Sequence, residues 1–197
     1  DRIAALRSAW GIDAGSRVIL HAARLTGWKG QRVVIEAARL MREQAPDLAR
    51  QAVFVLAGDA QGRDDYRAGL QRQIAAAGLE GAVRLVGHVA DIPAAFAAAW
   101  LGVVASTEPE AFGRAATESQ VVGCPVIATD IGAPPETVLT PERAGPDRMT
   151  GWLVPPDDPQ ALAAAVAAGL ALTPAQRGEI GTRARAPVLD RFSLFAM

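Results

Sequence analysis

The sequence has 197 residues, half of them hydrophobic, and its 20 basic and 21 acidic side chains nearly cancel. This length suits one α/β domain with a single core. The sequence contains no basic stretch interleaved with aromatic residues, so its composition does not indicate a nucleic-acid-binding protein. The lone cysteine, Cys124, excludes an internal disulfide framework and fits a reducing cytoplasm. The two histidines, His21 and His88, form no metal-ligand pattern with it. We therefore expect a globular cytoplasmic protein without a bound metal.

Short apolar segments alternate with amphipathic ones along the chain. The apolar segments lack polar alternation, which is typical of strands buried on both faces. Strands are predicted at 17–23, 52–57, 83–87, 101–106, 125–129 and 151–154. Helices are predicted at 30–44, 64–77, 94–98, 112–122, 134–138, 159–171 and 174–189. This alternation predicts an α/β fold of Rossmann-like type, with a doubly wound parallel sheet of about six strands.

Charged residues follow three of the predicted strands. Arg24 and Lys29 come after the first strand, Glu110 after the fourth, and Glu136 after the fifth. In an open parallel sheet, ligands bind beyond the carboxyl ends of the strands, so these residues can converge on one site. A guanidinium and an ammonium group there would stabilise the charge that develops on a leaving diphosphate. The alternative for Arg24 is a surface salt bridge, and for Lys29 a solvated helix start.

The stretch from Glu110 to Glu118 places two carboxylates around a Phe-Gly-Arg turn that leads into a predicted helix. A helix N-terminus offers unpaired N–H groups and a partial positive charge, so it can bind a phosphate. The carboxylates could accept hydrogen bonds from hydroxyl groups on either side of that phosphate. A sugar on one side and a ribose on the other would make the ligand a nucleotide sugar. The alternative is two solvated glutamates at a helix start, where acidic residues are common.

Six motifs occur in a characteristic order and spacing. They are His-Ala-Ala-Arg-Leu-Thr-Gly-Trp-Lys-Gly at 21–30, Leu-Ala-Gly-Asp at 56–59, Val-Gly-His-Val at 86–89, Gly-Cys-Pro-Val-Ile-Ala-Thr-Asp at 123–130, Gly-Ala-Pro-Pro-Glu at 132–136 and Thr-Gly-Trp-Leu-Val-Pro at 150–155. With the two glutamates they resemble the C-terminal, donor-binding domain of the family 4 (group 1) retaining glycosyltransferases. The resemblance covers about 17–192. It implies one half of a GT-B fold and a nucleoside diphosphate sugar as substrate.

The resemblance also implies roles for individual residues. The catalytic residues would be Arg24 and Lys29, which face the diphosphate, and Glu110, which contacts the donor sugar. The nucleotide-binding residues would be Glu118, on the ribose hydroxyls, with backbone groups near Phe112, Gly113, Gly87 and His88. Family reactions retain the anomeric configuration without an enzyme nucleophile, and neither a metal nor another cofactor is expected. The acceptor would be a glycan or a lipid, as in the synthesis of lipopolysaccharide or another cell-surface polysaccharide.

The ends of the sequence suggest one half of a two-domain enzyme. By resemblance, residues 1–12 form a linker helix and residues 190–197 a truncated crossover tail, around a single nucleotide-sugar-binding domain. An N-terminal acceptor domain would be missing, and with it any peripheral contact with the inner face of the membrane. We expect this chain alone to bind nucleotide but to transfer no sugar. The apolar side chains of Phe192, Leu194 and Phe195 are expected to self-associate.

Two departures from the family pattern stand in the motifs. Ala23 replaces the usual glycine before the arginine, and Ala133 replaces the second glycine before Glu136, which weakens the case for that glutamate. Two other functions remain open: a non-catalytic nucleotide-binding module of the same fold, and a nucleotide-sugar epimerase, for which no additional acid–base residues can be assigned.

Overall fold

The computed structural model describes residues 1–192 and has six parallel strands flanked by helices. The strands are β1 (Arg17–Ala22), β2 (Ala52–Ala57), β3 (Val83–Gly87), β4 (Leu101–Val104), β5 (Val126–Thr129) and β6 (Gly151–Val154). The helices are α1 (Arg2–Ala9), α2 (Gln31–Gln44), α3 (Pro46–Ala49), α4 (Asp64–Ala76), α5 (Ile92–Ala98), α6 (Arg114–Val121), α7 (Pro141–Ala144), α8 (Pro159–Leu170) and α9 (Pro174–Phe192). The prediction of a self-associating tail rests on the side chains of Phe192, Leu194 and Phe195, which lie outside what the structure describes.

The strand order is β3-β2-β1-β4-β5-β6, and each neighbouring pair is parallel. This confirms the predicted doubly wound sheet. The order reverses between β1 and β4, which pair directly through Ile19 with Leu101 and Leu20 with Gly102. Connections leaving these two strands diverge, so a crevice opens beyond their carboxyl ends, where α/β proteins bind ligands.

The continuous apolar character of β1 follows from burial on both faces. Ile19 packs into the core layer that contains α2 and α8. Val18 and Leu20 point the other way, into the layer that contains α5 and Phe96. All three side chains are at most 1% exposed. Because side chains alternate across a strand, a strand between two helical layers buries successive side chains on opposite faces, which favours an apolar run such as that at 18–20.

Several elements differ from their predicted bounds. β1 and β4 end one and two residues earlier than predicted, where the chain turns away towards the crevice. The helix predicted at 134–138 is only a 3₁₀ turn, Pro134–Glu136, in which Thr137 N donates to the Pro134 carbonyl at 3.1 Å. A second 3₁₀ turn, Gly27–Lys29, and the four-residue helices α3 and α7 were not predicted. Within residues 1–192, no helix is long and apolar enough to cross a bilayer.

Gly30 fixes the start of α2 against the end of β4. Its φ of +76° lies in the left-handed region, where a side chain is strained. A Cβ atom on Gly30 would also lie 1.8 Å from the carbonyl oxygen of Ala105, just after β4. Only glycine therefore allows the turn after β1 and the loop after β4 to approach this closely.

We predict that Gly30→Ala destabilises the fold by about 2–4 kcal/mol, since it adds backbone strain and a clash with a main-chain oxygen. Thermal unfolding monitored by circular dichroism would measure the change. The matched control is Gly15→Ala, where no atom lies within 4 Å of the added carbon and φ is not positive. A Gly30 variant as stable as the Gly15 variant would contradict this explanation of the close approach.

Candidate active site

A cleft of about 600 Å³ lies at the carboxyl ends of β1 to β4 and the start of α6. It brings together seven of the eight residues predicted to form the site: Arg24, Lys29, His88, Glu110, Phe112, Gly113 and Glu118. The eighth, Gly87, precedes His88 at the end of β3. Glu136 is exposed on the 3₁₀ turn after β5 and is not among the residues that line the cleft. The roles of these residues remain predictions, but their proximity is a property of the structure.

Lys29 and Glu110 form an ion pair across the point where the sheet order reverses. The Lys29 Nζ atom lies 2.7 Å from Glu110 Oε1, and the side chains are only 15% and 11% exposed. Nζ also lies 4.2 Å from the ring centroid of Trp28, a cation–π contact that orients the ammonium group. Ser106 Oγ donates a hydrogen bond to the same Glu110 oxygen. The pair thus places a cation and a hydrogen-bond acceptor side by side in a largely water-excluded corner.

The backbone at Glu110 is fixed by the loop that follows β5. Ala133 N donates a hydrogen bond of 2.9 Å to the Glu110 carbonyl. Gly132 has a φ of +67°, and a Cβ atom there would lie 2.5 Å from Glu110 N and 2.6 Å from its oxygen. Ala133 has an ordinary φ of −75°. The first glycine of the usual Gly-Gly is therefore the one that this contact requires, and the alanine at 133 is accommodated without strain.

Arg24 lies on the cleft wall with an exposed side chain. Within residues 1–192, its guanidinium has no hydrogen-bond or ion-pair partner. Ala23 before it does not have a positive φ, so the position usually held by glycine accepts an alanine. The close approach is made by Gly58 instead, where a Cβ atom would lie 1.8 Å from the Ala23 carbonyl oxygen. An unpaired guanidinium on a tightly packed loop suits a site for an anionic ligand.

The N-terminus of α6 opens into the cleft. Its N-cap is Gly113, with a φ of +56°, and no side chain caps the first N–H groups. The first turn contains no acidic residue and begins with Arg114, whose positive charge is unfavourable at the positive end of a helix dipole. Phe112 is 81% exposed at the edge of the cleft. Unpaired N–H groups and an arginine together favour a negatively charged ligand here.

Glu118 lies one turn inside α6 and is exposed at the side of the cleft. Partial desolvation raises the pKa of its carboxyl group, and the positive charge of Arg114 opposes this shift. The carboxylate has no hydrogen-bond partner among the described residues, so it can accept hydrogen bonds from a ligand.

The loop after β3 forms the remaining wall. His88 is exposed there. Gly87 adopts a φ of +74°, and its carbonyl oxygen accepts a 2.8 Å hydrogen bond from Gly58 N. The left-handed turn at Gly87 redirects the chain, and the next two residues, His88 and Val89, line the cleft.

Three residues of the site were not singled out from the sequence. Ser106 contacts Glu110, and Arg114 begins the helix that carries Glu118. From the sequence alone, each is only a polar residue at the end of a predicted strand or near the start of a predicted helix. His21 is buried in β1, with its Nδ1 atom 3.0 Å from the Val103 carbonyl oxygen and its Nε2 atom unpartnered. Burial is the main cause of its lowered pKa, and the nearby Lys29 charge also lowers it. A neutral imidazole therefore lies beneath the ion pair.

Known proteins are similar to this chain in sequence and in fold. Residues 3–186 match the family of glycosyl transferases group 1. The D-inositol 3-phosphate glycosyltransferase of Arthrobacter sp. (strain FB24) is 33% identical over 183 residues, which are 90% of this chain and 40% of that protein. The lipopolysaccharide core biosynthesis mannosyltransferase LpsB of Rhizobium meliloti (strain 1021) is 29% identical over 163 residues, 82% of this chain and 44% of that protein.

A solved structure is also similar to this chain in sequence and in fold. Anabaena Alr3699/HepE, crystallised in complex with UDP and glucose, is 34% identical with a TM-score of 0.83, and the match covers 97% of this chain and 48% of that one. The chain thus spans less than half the length of the curated relatives and of this structure. The family match spans 184 of the 197 residues, and the chain belongs to the group 1 glycosyltransferase family.

Proposed function

We propose that the cleft binds a nucleoside diphosphate sugar and that the chain is the donor-binding half of a retaining glycosyltransferase. The observation that carries this proposal is the largely buried Lys29–Glu110 pair. It sets a phosphate-binding cation beside a hydroxyl-binding carboxylate in the cleft that also holds Arg24 and Glu118. Membership of the glycosyltransferase family favours this function over a non-catalytic binding module or an epimerase.

The diphosphate would lie between Arg24, Lys29 and the N-terminus of α6. Breaking the glycosidic bond transfers negative charge to the leaving diphosphate. A free guanidinium, an ammonium group and uncapped N–H groups would stabilise that charge at positions fixed before the reaction. Lys29 would exchange part of its contact with Glu110 for a phosphate oxygen, so the carboxylate would become available to the sugar.

The hydroxyl groups of the donor would be bound at two places. Glu110, held in place by Ser106 and the loop after β5, would accept from hydroxyls of the transferred sugar. Glu118 would accept from the ribose hydroxyls, and the loop containing Gly87 and His88 would border the base. These assignments follow the residue order along the cleft and the family resemblance.

The cations would replace a metal ion. Among residues 1–192, no group of three or more His, Cys, Asp or Glu side chains is arranged to hold one. We propose that Arg24 and Lys29 neutralise the diphosphate without magnesium, and that no other cofactor takes part. Nucleotide binding should therefore persist when EDTA is present throughout a titration.

The acceptor and the transfer step would need more than this chain. Its relatives are more than twice as long as the segments they share with it. We propose that attack occurs on the face of the sugar from which the diphosphate leaves, with an acceptor that is a glycan or a lipid in the cytoplasm or at the inner membrane face. The name of the Rhizobium relative supports lipopolysaccharide synthesis as one setting. Transfer by these 197 residues alone is not expected, since orientation of both substrates supplies much of the rate.

Calorimetric titration of the chain with UDP, GDP and ADP, each beside its nucleoside, tests the proposal. At least one of the three nucleoside diphosphates should bind measurably, and it should bind more tightly than its own nucleoside. UDP is the first probe because the structural relative binds it. Absence of binding by all three diphosphates would contradict the assignment of this cleft.

We predict that Arg24→Ala weakens binding of the preferred nucleoside diphosphate by roughly tenfold or more, because charge-assisted hydrogen bonds contribute about 1.5–3 kcal/mol. Binding of the matching nucleoside should change little. The control is Arg72→Ala, which removes an exposed arginine of α4 that does not line the cleft. An equal loss for nucleoside and diphosphate would indicate distortion of the fold instead of a lost phosphate contact.

Glu118 should make ribose recognition depend on pH. Only the ionised carboxylate is a pure acceptor, and the raised pKa means that a proton is taken up at a higher pH than in an ordinary glutamate. We predict that the preference for UDP over 2′-deoxy-UDP is largest well above this pKa and declines as pH falls through it. Titration of the phosphate groups does not affect the ratio of the two affinities, because both ligands carry the same phosphates. In Glu118→Ala the ratio should be smaller and independent of pH, and a pH-dependent ratio in that variant would contradict the assignment.

A further inference from the structure

A partly buried chain of hydrogen bonds runs from α4 to the loop that carries Arg24. Tyr66 Oη donates to Gln31 Oε1 at 3.0 Å, and Gln31 Nε2 donates to the Arg24 carbonyl oxygen at 2.8 Å. Gln31 has no exposed surface, and neither it nor Tyr66 lines the cleft. The hydrogen bond from Gln31 to the main chain of Arg24 links both of them to a residue that lines the cleft.

The position of Gln31 is set by its neighbours. It is the first residue of α2 and follows Gly30, whose contact with the Ala105 carbonyl fixes the start of the helix. A buried amide needs partners for both its oxygen and its nitrogen. The tyrosine hydroxyl can donate, so it holds the amide oxygen, and the nitrogen must then face the Arg24 carbonyl.

Three hydrogen bonds hold the segment around Arg24. Ala23 N donates to the Ala57 carbonyl at 2.9 Å, and Leu25 N donates to the Asp59 carbonyl at 3.0 Å. Gln31 supplies the third by binding the Arg24 carbonyl. Because the Arg24 guanidinium has no partner within residues 1–192, no side-chain contact fixes it, and the main chain sets the direction in which the side chain leaves the loop.

We propose that Gln31, oriented by Tyr66, is a positioning residue that directs the Arg24 guanidinium towards the phosphate groups of the ligand. This inference rests on the proposed function. Without the Gln31 amide, the peptide between Arg24 and Leu25 is held only by the hydrogen bond from Leu25 N to the Asp59 carbonyl, so the arginine is less well positioned before the ligand binds. Burial raises the pKa of the Tyr66 hydroxyl, and a tyrosine hydroxyl is a protonated donor at neutral pH in any case.

The test compares Gln31→Leu with a matched control, Gln73→Leu. Gln73 also joins α4 to α2, because its Nε2 atom donates to the Arg32 carbonyl at 3.1 Å, but it does not contact the Arg24 loop. UDP and uridine are titrated by calorimetry, or the corresponding pair if GDP or ADP binds better. Gln31→Leu should weaken UDP binding by roughly threefold to tenfold and leave uridine binding unchanged. Gln73→Leu should leave the ratio of UDP to uridine affinity unchanged.

A double-mutant cycle separates positioning from a general effect on the fold. In the Arg24→Ala background, Gln31→Leu should cause no further loss of UDP affinity. Additive losses, or a Gln31→Leu chain that binds UDP normally while Arg24→Ala does not, would overturn the inference and leave the proposed function intact. Failure of the unsubstituted chain to bind any nucleoside diphosphate would instead contradict the proposed function.

Two further variants test the positioning role if Gln31→Leu fails to fold. Tyr66→Phe leaves Gln31 free to bind Arg24 and should show a smaller loss, again confined to UDP. Gln31→Glu can donate to the Arg24 carbonyl only when protonated, and the ionised form would repel that oxygen. Relative to the unsubstituted chain, its UDP-to-uridine affinity ratio should therefore fall as pH rises. If the UDP-to-uridine affinity ratio of Gln31→Glu changes with pH in the same way as that of the unsubstituted chain, the positioning role is overturned.

Discussion

The pairing of β1 with β4 is the constraint on which the site depends. These neighbouring strands are far apart in sequence, and the chain leaves them towards opposite faces of the sheet. The loops beyond them would diverge, yet Lys29 from one and Glu110 from the other meet at 2.7 Å. The ion pair therefore links the two halves of the sheet at the point where their connections separate.

Close main-chain approaches make this meeting possible. A Cβ atom at Gly30, Gly58 or Gly132 would lie within 2.6 Å of a backbone oxygen in a neighbouring loop. Two of these glycines hold the segments that carry Arg24 and Glu110, and the third starts the helix behind Lys29. Groups fixed in this way lose little further freedom when a charged ligand binds, which is the basis of electrostatic preorganisation.

The fold could be predicted from the sequence because it depends on local signals. Apolar runs such as 52–57, bounded by turns, alternate with helical segments, and both sides of the sheet are buried. The convergence of Arg24 and Glu110 was predicted from their positions after strands of a parallel sheet. Contacts formed by tertiary packing could not be predicted: nothing in the sequence indicates that Gln31 binds the Arg24 carbonyl, or that the acid partner of Lys29 is Glu110. The short 3₁₀ turn at Gly27–Lys29, which is held by local hydrogen bonds, was not predicted either.

The central claim is that Lys29 exchanges contact with Glu110 for contact with a diphosphate. Calorimetric titration of Glu110→Gln with UDP tests it most directly. The substitution keeps an oxygen for Ser106 but removes a negative charge that competes for Lys29 and repels the phosphates. This account predicts that UDP binds the variant more tightly than the unsubstituted chain. Weaker or unchanged binding, in a variant that folds normally, would contradict it.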